Sequence, residues 1–587
     1  MVLRLGIVFC IAAMTASCDA HNIAEGLDWW QSTFIYQIYP RSFKDSNGDG
    51  IGDLNGILEK LDYIKAIGVD TMWIQPFYKS PMVDTGYDVS DYISVDPSYG
   101  SMEDFKRLLK ATKEKGMKLI VDFVPNHSSD QHEWFKLSEQ RIEPYTDFYV
   151  WHDGRKVNDS YSMAPNNWID VVHGSSAWTW SEKRRQYYYH QFVRQQPDLN
   201  LRNPRVVKEL ENVLKFWLDL GVDGFRVDAA RHLYEATHLK DEKLVRSGPY
   251  NWIEHEYTHE LPENYELFQS WRTLLDEYSR KDGRTRQVQL TSLRTASSSR
   301  ILCTEDYDTP ENLKRHLGNA TKPGAHIPFY FYLTNANLEQ RMNSTLLNNL
   351  VLSMKNNFPQ NSFNWVLDNH DRVRVTSRFF PESGDSWLML VLLLPGAVSI
   401  YYGTEIGMEN SKMGRDQHPL DGHGQINFND DSRTPMQWDD TENAGFTSGR
   451  DTWLPVHPNY WLKNVRTQEQ DPKSHLNIFK RLVALRKSPV ITHGDFETYA
   501  PKTWVYMITR SFESQIIVVL MNIGSSVEHV CPKETISTLP DKMFVYTGSV
   551  NSGFNIGDEV IISKSDNTRC VTMRPQSGLV LSTSVAQ

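Results

Sequence analysis

Four short stretches of the sequence set carboxylates beside basic or amide groups, each after an apolar run. "KLIVDFVPNH" carries Asp122, Asn126 and His127, and "VDGFRVDAAR" carries Arg226 and Asp228. "RILCTEDY" carries Glu305, and "NWVLDNHDRVR" carries Asn369, His370, Asp371 and Arg374. Acids with His and Arg nearby either hold a metal ion or do acid–base and nucleophilic work on a neutral substrate. None of the four stretches has the His-x-x-x-His or Cys-rich spacing of a transition-metal centre. A carboxylate pair, one member ionised and the other protonated, is what glycoside cleavage uses. Any one of these acids reads equally as a helix cap or an ion-pair partner; four from four strands point to one spot.

A fifth stretch, "FKDSNGDGIGDLNG", alternates oxygen-bearing side chains: Asp45, Asn47, Asp49 and then Asp53. Several hard oxygens around one point suit Ca²⁺. The stretch begins like an EF-hand loop, with Gly50 at the sixth position, but has Gly56 where the bidentate Glu belongs. A sensor, a structural ion site and a polar turn are the three readings it allows.

These residues need elements to position them. "FIYQIYP" (34–40) and "DTMWIQP" (70–76) read as buried strands. Between them, Leu54, Ile57, Leu58, Leu61 and Ile64 recur at helical spacing over 54–67. A helix over 102–115, the strand "KLIVDFVP", and later "VDGFRVD", "RILCTE", "IPFYFYL", "SFNWVLD" and "AVSIYYG" continue the alternation, with helices at 206–220 and 310–317. That predicts an α/β fold, a (β/α)8 TIM barrel, in which strand-end residues line the C-terminal mouth. The interval between the third and fourth strands is far longer than a crossover needs, so 131–198 reads as an inserted domain rich in Trp, Tyr, Asn and Pro. The barrel then comprises 21–130 and 199–493, with a second insertion at about 403–472. From 494 to 587 short alternating runs without helices predict an antiparallel β domain.

The chain has 587 residues, 40% hydrophobic and 23% charged, as in a soluble globular protein. A net charge of −11 with no basic stripe argues against nucleic acid. Residues 1–20 have a basic Arg4, an apolar run and small residues near Ala20, the pattern of a secretory signal peptide. With no lipid-anchor tail at the C-terminus, the expectation is a secreted, extracellular protein without a membrane anchor. Cys303, Cys531 and Cys570 remain after the leader; the last two are candidates to pair, and Cys303 reads as a buried small hydrophobe. Asn158, Asn319 and Asn343 lie in glycosylation sequons; Asn126, inside a candidate site loop, is expected to stay unmodified.

The chain resembles the α-amylase superfamily, glycoside hydrolase family 13, and within it the insect maltase (α-glucosidase) group. "GVDTMWIQP", "DFVPNH", "QPDLN", "GFRVDAA", "TED", "NHD" and "PGAVSIYYGTE" occur in the family's order over the whole mature chain. The resemblance implies Asp228 as nucleophile, Glu305 as acid then base, and Asp371 as stabiliser of the transition state. It implies that His127, Arg226 and His370 bind substrate or orient carboxylates, and that Asp88 and Arg433 close an exo-acting pocket around a terminal glucose. It further implies a structural Ca²⁺ in the first βα loop, held by Asp45, Asn47, Asp49, Asp53 and the Ile51 carbonyl. The implied partners are small oligosaccharide or disaccharide substrates such as maltose or sucrose.

Two departures from the family pattern stand out. Asp368 precedes "NHD" and Asp306 follows Glu305, and both are expected to raise the Glu305 pKa. Ala229 after the nucleophile leans towards 1,4 links. A transglycosylase or sucrose isomerase on the same site is a second reading. A non-catalytic relative acting as a binding ectodomain is a third, which the intact carboxylates oppose.

Overall fold

The computed structural model describes residues 27–158, 161–245, 250–289, 298–335, 342–413, 428–563 and 571–584. The proposed leader, Cys570 and the third residue of the Asn158 sequon lie outside these. Eight parallel strands form one sheet: β1 (Phe34–Ile38), β2 (Thr71–Ile74), β3 (Lys118–Phe123), β4 (Gly224–Val227), β5 (Ile301–Thr304), β6 (Ile327–Pro328), β7 (Asn364–Val366) and β8 (Ala397–Tyr401). Their order is β6-β5-β4-β3-β2-β1-β8-β7, so the sheet curls into a barrel.

The ladder is missing only between β6 and β7. The run "IPFYFYL" yields two strand residues, because Pro328 has no N–H to continue a ladder and the chain turns into a helix at Tyr332–Asn335. The Asn364 side chain closes the seam instead. Its Nδ2 donates to the Pro328 carbonyl at 2.8 Å and its Oδ1 accepts from the Tyr330 N–H at 2.8 Å.

Alternate strand residues point to opposite faces, and the packing follows. Ile35, Trp73, Ile120, Ile301, Cys303, Ile327, Val366 and Ala397 fill the barrel interior with Phe329 and Phe331. Cys303 is thus a core residue, fully buried. Outward residues such as Phe34, Leu119, Val121 and Phe225 meet the surrounding helices. The apolar window 54–67 forms two helices, α1 (Leu54–Glu59) and α2 (Leu61–Ala66), because Lys60 at φ −97°, ψ 8° breaks the turn between them. Helix α3 (Met102–Glu114) opens on a Ser101/Asp104 capping box and buries Phe105, Leu108 and Leu109. Cutting Leu108 to Ala would cost about 2–5 kcal/mol. Helix α4 (Pro204–Leu220) starts with Asn203 as cap and Pro204 in its first turn, and stops at Gly221 with φ 107°.

The segment between β3 and β4 carries a helix (Glu133–Glu139) and a three-stranded antiparallel sheet of Trp151–His152, Gln186–Tyr189 and Trp178–Ser181. Isolated bridges His127–Asp198 and Tyr149–Leu199 stitch its ends to the barrel mouth. At the C-terminus, β9 (Asp495–Lys502), β10 (Val505–Phe512), β11 (Gln515–Asn522), β12 (Lys542–Gly548), β13 (Glu559–Ile561) and β14 (Gly578–Ser582) make a six-stranded antiparallel sheet. It packs on the barrel through a helix at Gly384–Leu393 that is buried all round. Arg510 ties the joint: its Nη atoms donate to the Leu393, Ile491 and Gly494 carbonyls at 2.9, 2.6 and 2.7 Å.

Candidate active site

Strand register brings the acids together. Arg226 on β4 pairs with Asp122 on β3, and Val227 pairs with Thr304 on β5. Asp228 and Glu305, the next residues, therefore leave adjacent strands at the same height. Gly224 lets those two strands approach, since a Cβ there would sit 2.3 Å from the Ile301 carbonyl oxygen. Beyond Asp228 the chain turns sharply, with Ala229 at φ 51°, and the Ala229 N–H donates to Glu305 Oε2 at 2.9 Å.

Arg226 is the hub. Nη1 donates to Asp122 Oδ1 at 2.8 Å and to Asp228 Oδ1 at 2.5 Å, while Nη2 lies 3.2 Å from Glu305 Oε2. One planar guanidinium thus touches both carboxylates, Nη1 at Asp228 and Nη2 at Glu305. The Trp73 indole N–H holds the other Asp122 oxygen at 3.1 Å. Burial pushes Asp228 up to about 7 against the pull of Arg226, with Asp122 adding to the rise. Burial also pushes Glu305 up to about 7, opposed by Arg226 and reinforced by Asp228 and Asp371. Two buried acids so close share one proton near neutrality. The shorter contact from Arg226 favours the charge on Asp228, leaving the proton on Glu305.

Asp371 completes the mouth and is the most open of the three, with a side chain 29% exposed against 12% for Asp228 and 13% for Glu305. Burial works to raise it, but His370, Arg433 and Arg226 hold it below the usual carboxylate value. His370 Nε2 and Arg433 Nη2 lie 3.3 and 3.2 Å from Asp371 Oδ1. Arg433 Nε also donates to the His370 carbonyl at 3.0 Å, so the insertion carrying Arg433 is anchored to the strand-end loop. Tyr87 stacks on His370 with rings parallel to 1° and centroids 5.4 Å apart.

Asp88 does not reach this mouth. Fully buried, it accepts from Ser80 Oγ (2.8 Å), the Val83 N–H (3.0 Å) and the Asp84 N–H (2.9 Å), so both its oxygens are spent on its own turn. Asp84, four residues earlier in the same "DTGYD" motif, faces the site instead. Its carboxyl is pushed up to about 7 by burial, against the attraction of Arg433, and lies in the field of Asp371. Gln196 Nε2 donates to Asp84 Oδ2 at 2.9 Å and lies 3.1 Å from His127 Nε2, linking the inserted segment to the pocket wall. Asp84, Gln196 and Tyr87 are the residues that sequence reasoning missed; two acids in one motif gave a signal without saying which faced in.

The expected influence of Asp306 and Asp368 on Glu305 is not what the contacts show. Asp306 lies 2.9 Å from Arg231 Nε and 3.3 Å from His316 Nε2. Asp368 accepts from the Val375 N–H and Thr404 Oγ1, both at 3.0 Å, and lies 3.3 Å from Arg378. Both charges are compensated locally; burial, Asp228 and Asp371 are what raise Glu305. Burial opposes a charge on His316, yet its bonds to Asp306 and Glu260 raise it to about 9. Glu260, Asp306 and His316 sit within metal-ligand distance of one another, but a protonated imidazole makes this group an ion cluster. A His-x-x-x-His spacing does occur elsewhere, at His255 and His259. Those rings stack 4.7 Å apart, and both Nε2 atoms are engaged by Tyr250, at 2.7 Å to its carbonyl and 2.6 Å to its hydroxyl.

In the first βα loop the oxygens turn back on the loop itself. Asp45 accepts from the Asn47, Gly48 and Gly50 N–H groups at 2.9, 2.7 and 2.7 Å and from Thr447 Oγ1 at 2.5 Å. Asp53 caps α1 through the Gly56 N–H at 2.7 Å and holds Ser46 N at 2.8 Å. Asn47 and Asp49 each accept one N–H, both at 2.9 Å, and both are exposed. The donor chemistry suits a hard cation, but Asp45 and Asp53 are spent on hydrogen bonds. Among the described residues no carboxylate triad gathers here. Asn126 donates to Asp198 Oδ2 at 2.9 Å and to the His232 carbonyl at 2.6 Å, and it is buried.

This barrel, with a forked arginine between two strand-end acids and a third acid opposite, defines a (β/α)8 glycoside hydrolase. The profile of the alpha-amylase catalytic domain matches residues 37–494, and the chain belongs to that family, glycoside hydrolase family 13. Maltase 1 of Drosophila virilis is 40% identical over 585 residues, covering 97% of this chain and 89% of that protein. The salivary alpha-glucosidase of Aedes aegypti is 41% identical, over 86% of this chain and 87% of its own. Among solved structures, the alpha-glucosyl transfer enzyme XgtA superposes with a TM-score of 0.79 at 30% identity, covering 94% of this chain and 99% of that one.

Proposed function

We propose that the protein is an exo-acting, retaining α-glucosidase that releases terminal glucose from maltose, sucrose or short oligosaccharides. The observation that carries the reading is the single guanidinium of Arg226 spanning Asp228 and Glu305. It sets the two acids side by side, as a retaining pair about 5 Å apart requires. Asp228 attacks the anomeric carbon as Glu305 protonates the leaving oxygen. Glu305 then takes a proton from water, which displaces Asp228. Asp371, held ionised by His370 and Arg433, binds sugar hydroxyls and the positive charge of the transition state. On this reading Asp84, tied through Gln196 to His127, and Arg433 close the pocket around one terminal ring, which would make the action exo.

A calcium ion at this loop would be held by Asn47, Asp49 and the Ile51 carbonyl, and by Asp45 and Asp53 only if they gave up hydrogen bonds; it would add a structural tie to a loop that hydrogen bonds already hold. No catalytic step runs through it. The reading of a secreted enzyme is supported by the leader-like residues 1–20 and by relatives named salivary; no helix among the described residues is long and apolar enough to cross a membrane. Transfer to a second sugar is the alternative outcome at the same site, favoured by the likeness to an enzyme named for α-glucosyl transfer. The test incubates the protein with maltose, sucrose, isomaltose and trehalose, with Asp228→Asn alongside. Glucose release that vanishes in the variant supports the reading, and disaccharide or trisaccharide products in place of glucose favour transfer. No turnover of any substrate overturns both.

A further inference from the structure

His370 has four close neighbours. Its Nε2 faces the Asp371 carboxylate at 3.3 Å, and its Nδ1 lies 3.0 Å from Gln37 Nε2. Its ring is held between Tyr87, parallel to 1° at 5.4 Å, and Tyr39, at 17° and 6.4 Å. The ring is 3% exposed and cannot turn over without parting that stack. A carboxylate only accepts, so this 3.3 Å approach favours a hydrogen on Nε2. A neutral ring then has a lone pair at Nδ1, and a buried lone pair needs a donor.

We infer that Gln37 is a positioning residue whose side-chain N–H locks His370 in the Nε2–H tautomer, so that the ring always presents a donor to Asp371 and the bound sugar. Gln37 is a residue of β1, itself fully buried, and among the described residues its Oε1 has no hydrogen-bond partner. The amide is therefore oriented by this one contact. Reversing it would set Oε1 against Nδ1 and call for a second proton, making an imidazolium. Arg226 and Arg433 both disfavour that cation, and burial holds His370 down to about 3, with Asp371 alone pulling the other way. The titratable groups facing the ring are thus Asp371, Arg226, Arg433 and the two tyrosines, and none of them supplies a donor to Nδ1.

The inference rests on the proposed hydrolase reading for its kinetic consequence but not for its spectroscopic one. In ¹⁵N-histidine-labelled protein near pH 6.5, the His370 signals, assigned by their loss in His370→Asn, should show pyrrole-type Nε2 and pyridine-type Nδ1. Gln37→Leu removes the donor without adding charge and should leave a tautomer mixture with kcat on maltose down about 10- to 100-fold. Gln37→Glu, of the same shape, sets an acceptor against Nδ1. It should make both nitrogens pyrrole-type and move the alkaline limb of the kcat–pH profile to lower pH. A wild-type ring protonated on Nδ1, or a Gln37→Leu enzyme with unchanged tautomer and kcat, overturns the inference. Should the wild type cleave none of the sugars, the hydrolase reading fails while the nitrogen signals still decide the tautomer.

Discussion

Asp84 and Asp88 are four residues apart in one motif, and the structure gives them different surroundings. Asp84→Asn keeps the size of the side chain but removes the carboxylate that, above about pH 7, faces Arg433 and any bound hydroxyls, so the comparison is made on that side of neutrality. Hydrogen bonds to charged groups are worth about 1.5–3 kcal/mol each. Two such bonds to a terminal sugar give about 3–6 kcal/mol, or about 10²- to 10⁴-fold in kcat/KM at 1.4 kcal/mol per decade. The melting temperature should barely move, since among the described residues the Asp84 side chain accepts a hydrogen bond only from Gln196. Asp88→Asn should do the reverse. It disturbs three hydrogen bonds that close the turn at residues 80–84, two of them from backbone N–H groups. At about 1 kcal/mol or more for each, that costs several degrees of stability and little intrinsic activity in the folded fraction. Steady-state kinetics on maltose with thermal denaturation of both variants decides the matter. If Asp88→Asn abolishes activity at an unchanged melting temperature while Asp84→Asn stays near wild type, the pocket assignment is wrong.

Burial raises the pKa of Glu305 from 4.5 to about 7, so its contribution favours folding below pH 4.5 and is lost as pH rises through 7. Glu305→Gln should flatten the fall in stability over that window by up to about 3 kcal/mol, read by melting curves at pH 4.5 and 7.5; a variant that falls as steeply as wild type counts against the site electrostatics. Asp306→Asn should lower the melting temperature by stripping Arg231 and His316 of their partner. It should move the alkaline limb of activity by less than half a unit, and a shift of a full unit would restore Asp306 as the tuner of Glu305. Asp45→Ala leaves three backbone N–H groups and Thr447 without their acceptor and should cost about 2–4 kcal/mol. EDTA should lower the melting temperature by less than this variant does, and a larger EDTA effect would mean that the ion, not the hydrogen bonds, holds the loop.

The barrel was legible because each strand is an apolar run ending in a polar residue and each helix repeats at helical spacing. Boundaries failed where a local event overrode periodicity, as at Lys60 and at Pro328, where a side chain replaces a ladder. The site was legible to the extent that chemistry sits at strand ends: Asp228, Glu305 and Asp371 needed only register to meet. Residues defined by direction were not. Asp84 and Asp88 have the same side chain, and only the turn that spends one of them reveals which faces in. Gln37 gives no sequence signal, and Gln196, although it opens the "QPDLN" stretch, gives none of its direction, because an amide matters only for the group it faces. The cause assigned to the Glu305 shift failed for the same reason, since sequence shows that Asp306 is near but not that Arg231 and His316 neutralise it.

The proposed mechanism requires Asp228 to form a covalent bond to the sugar, and the anomer released first tests that step most directly. Proton NMR in the first minutes of sucrose or maltose cleavage should show α-glucose freed from the nonreducing ring, appearing before mutarotation, with none from Asp228→Asn. β-Glucose appearing first from that ring would mean that water attacks directly, and the side-by-side pair held by Arg226 would not be the reacting pair.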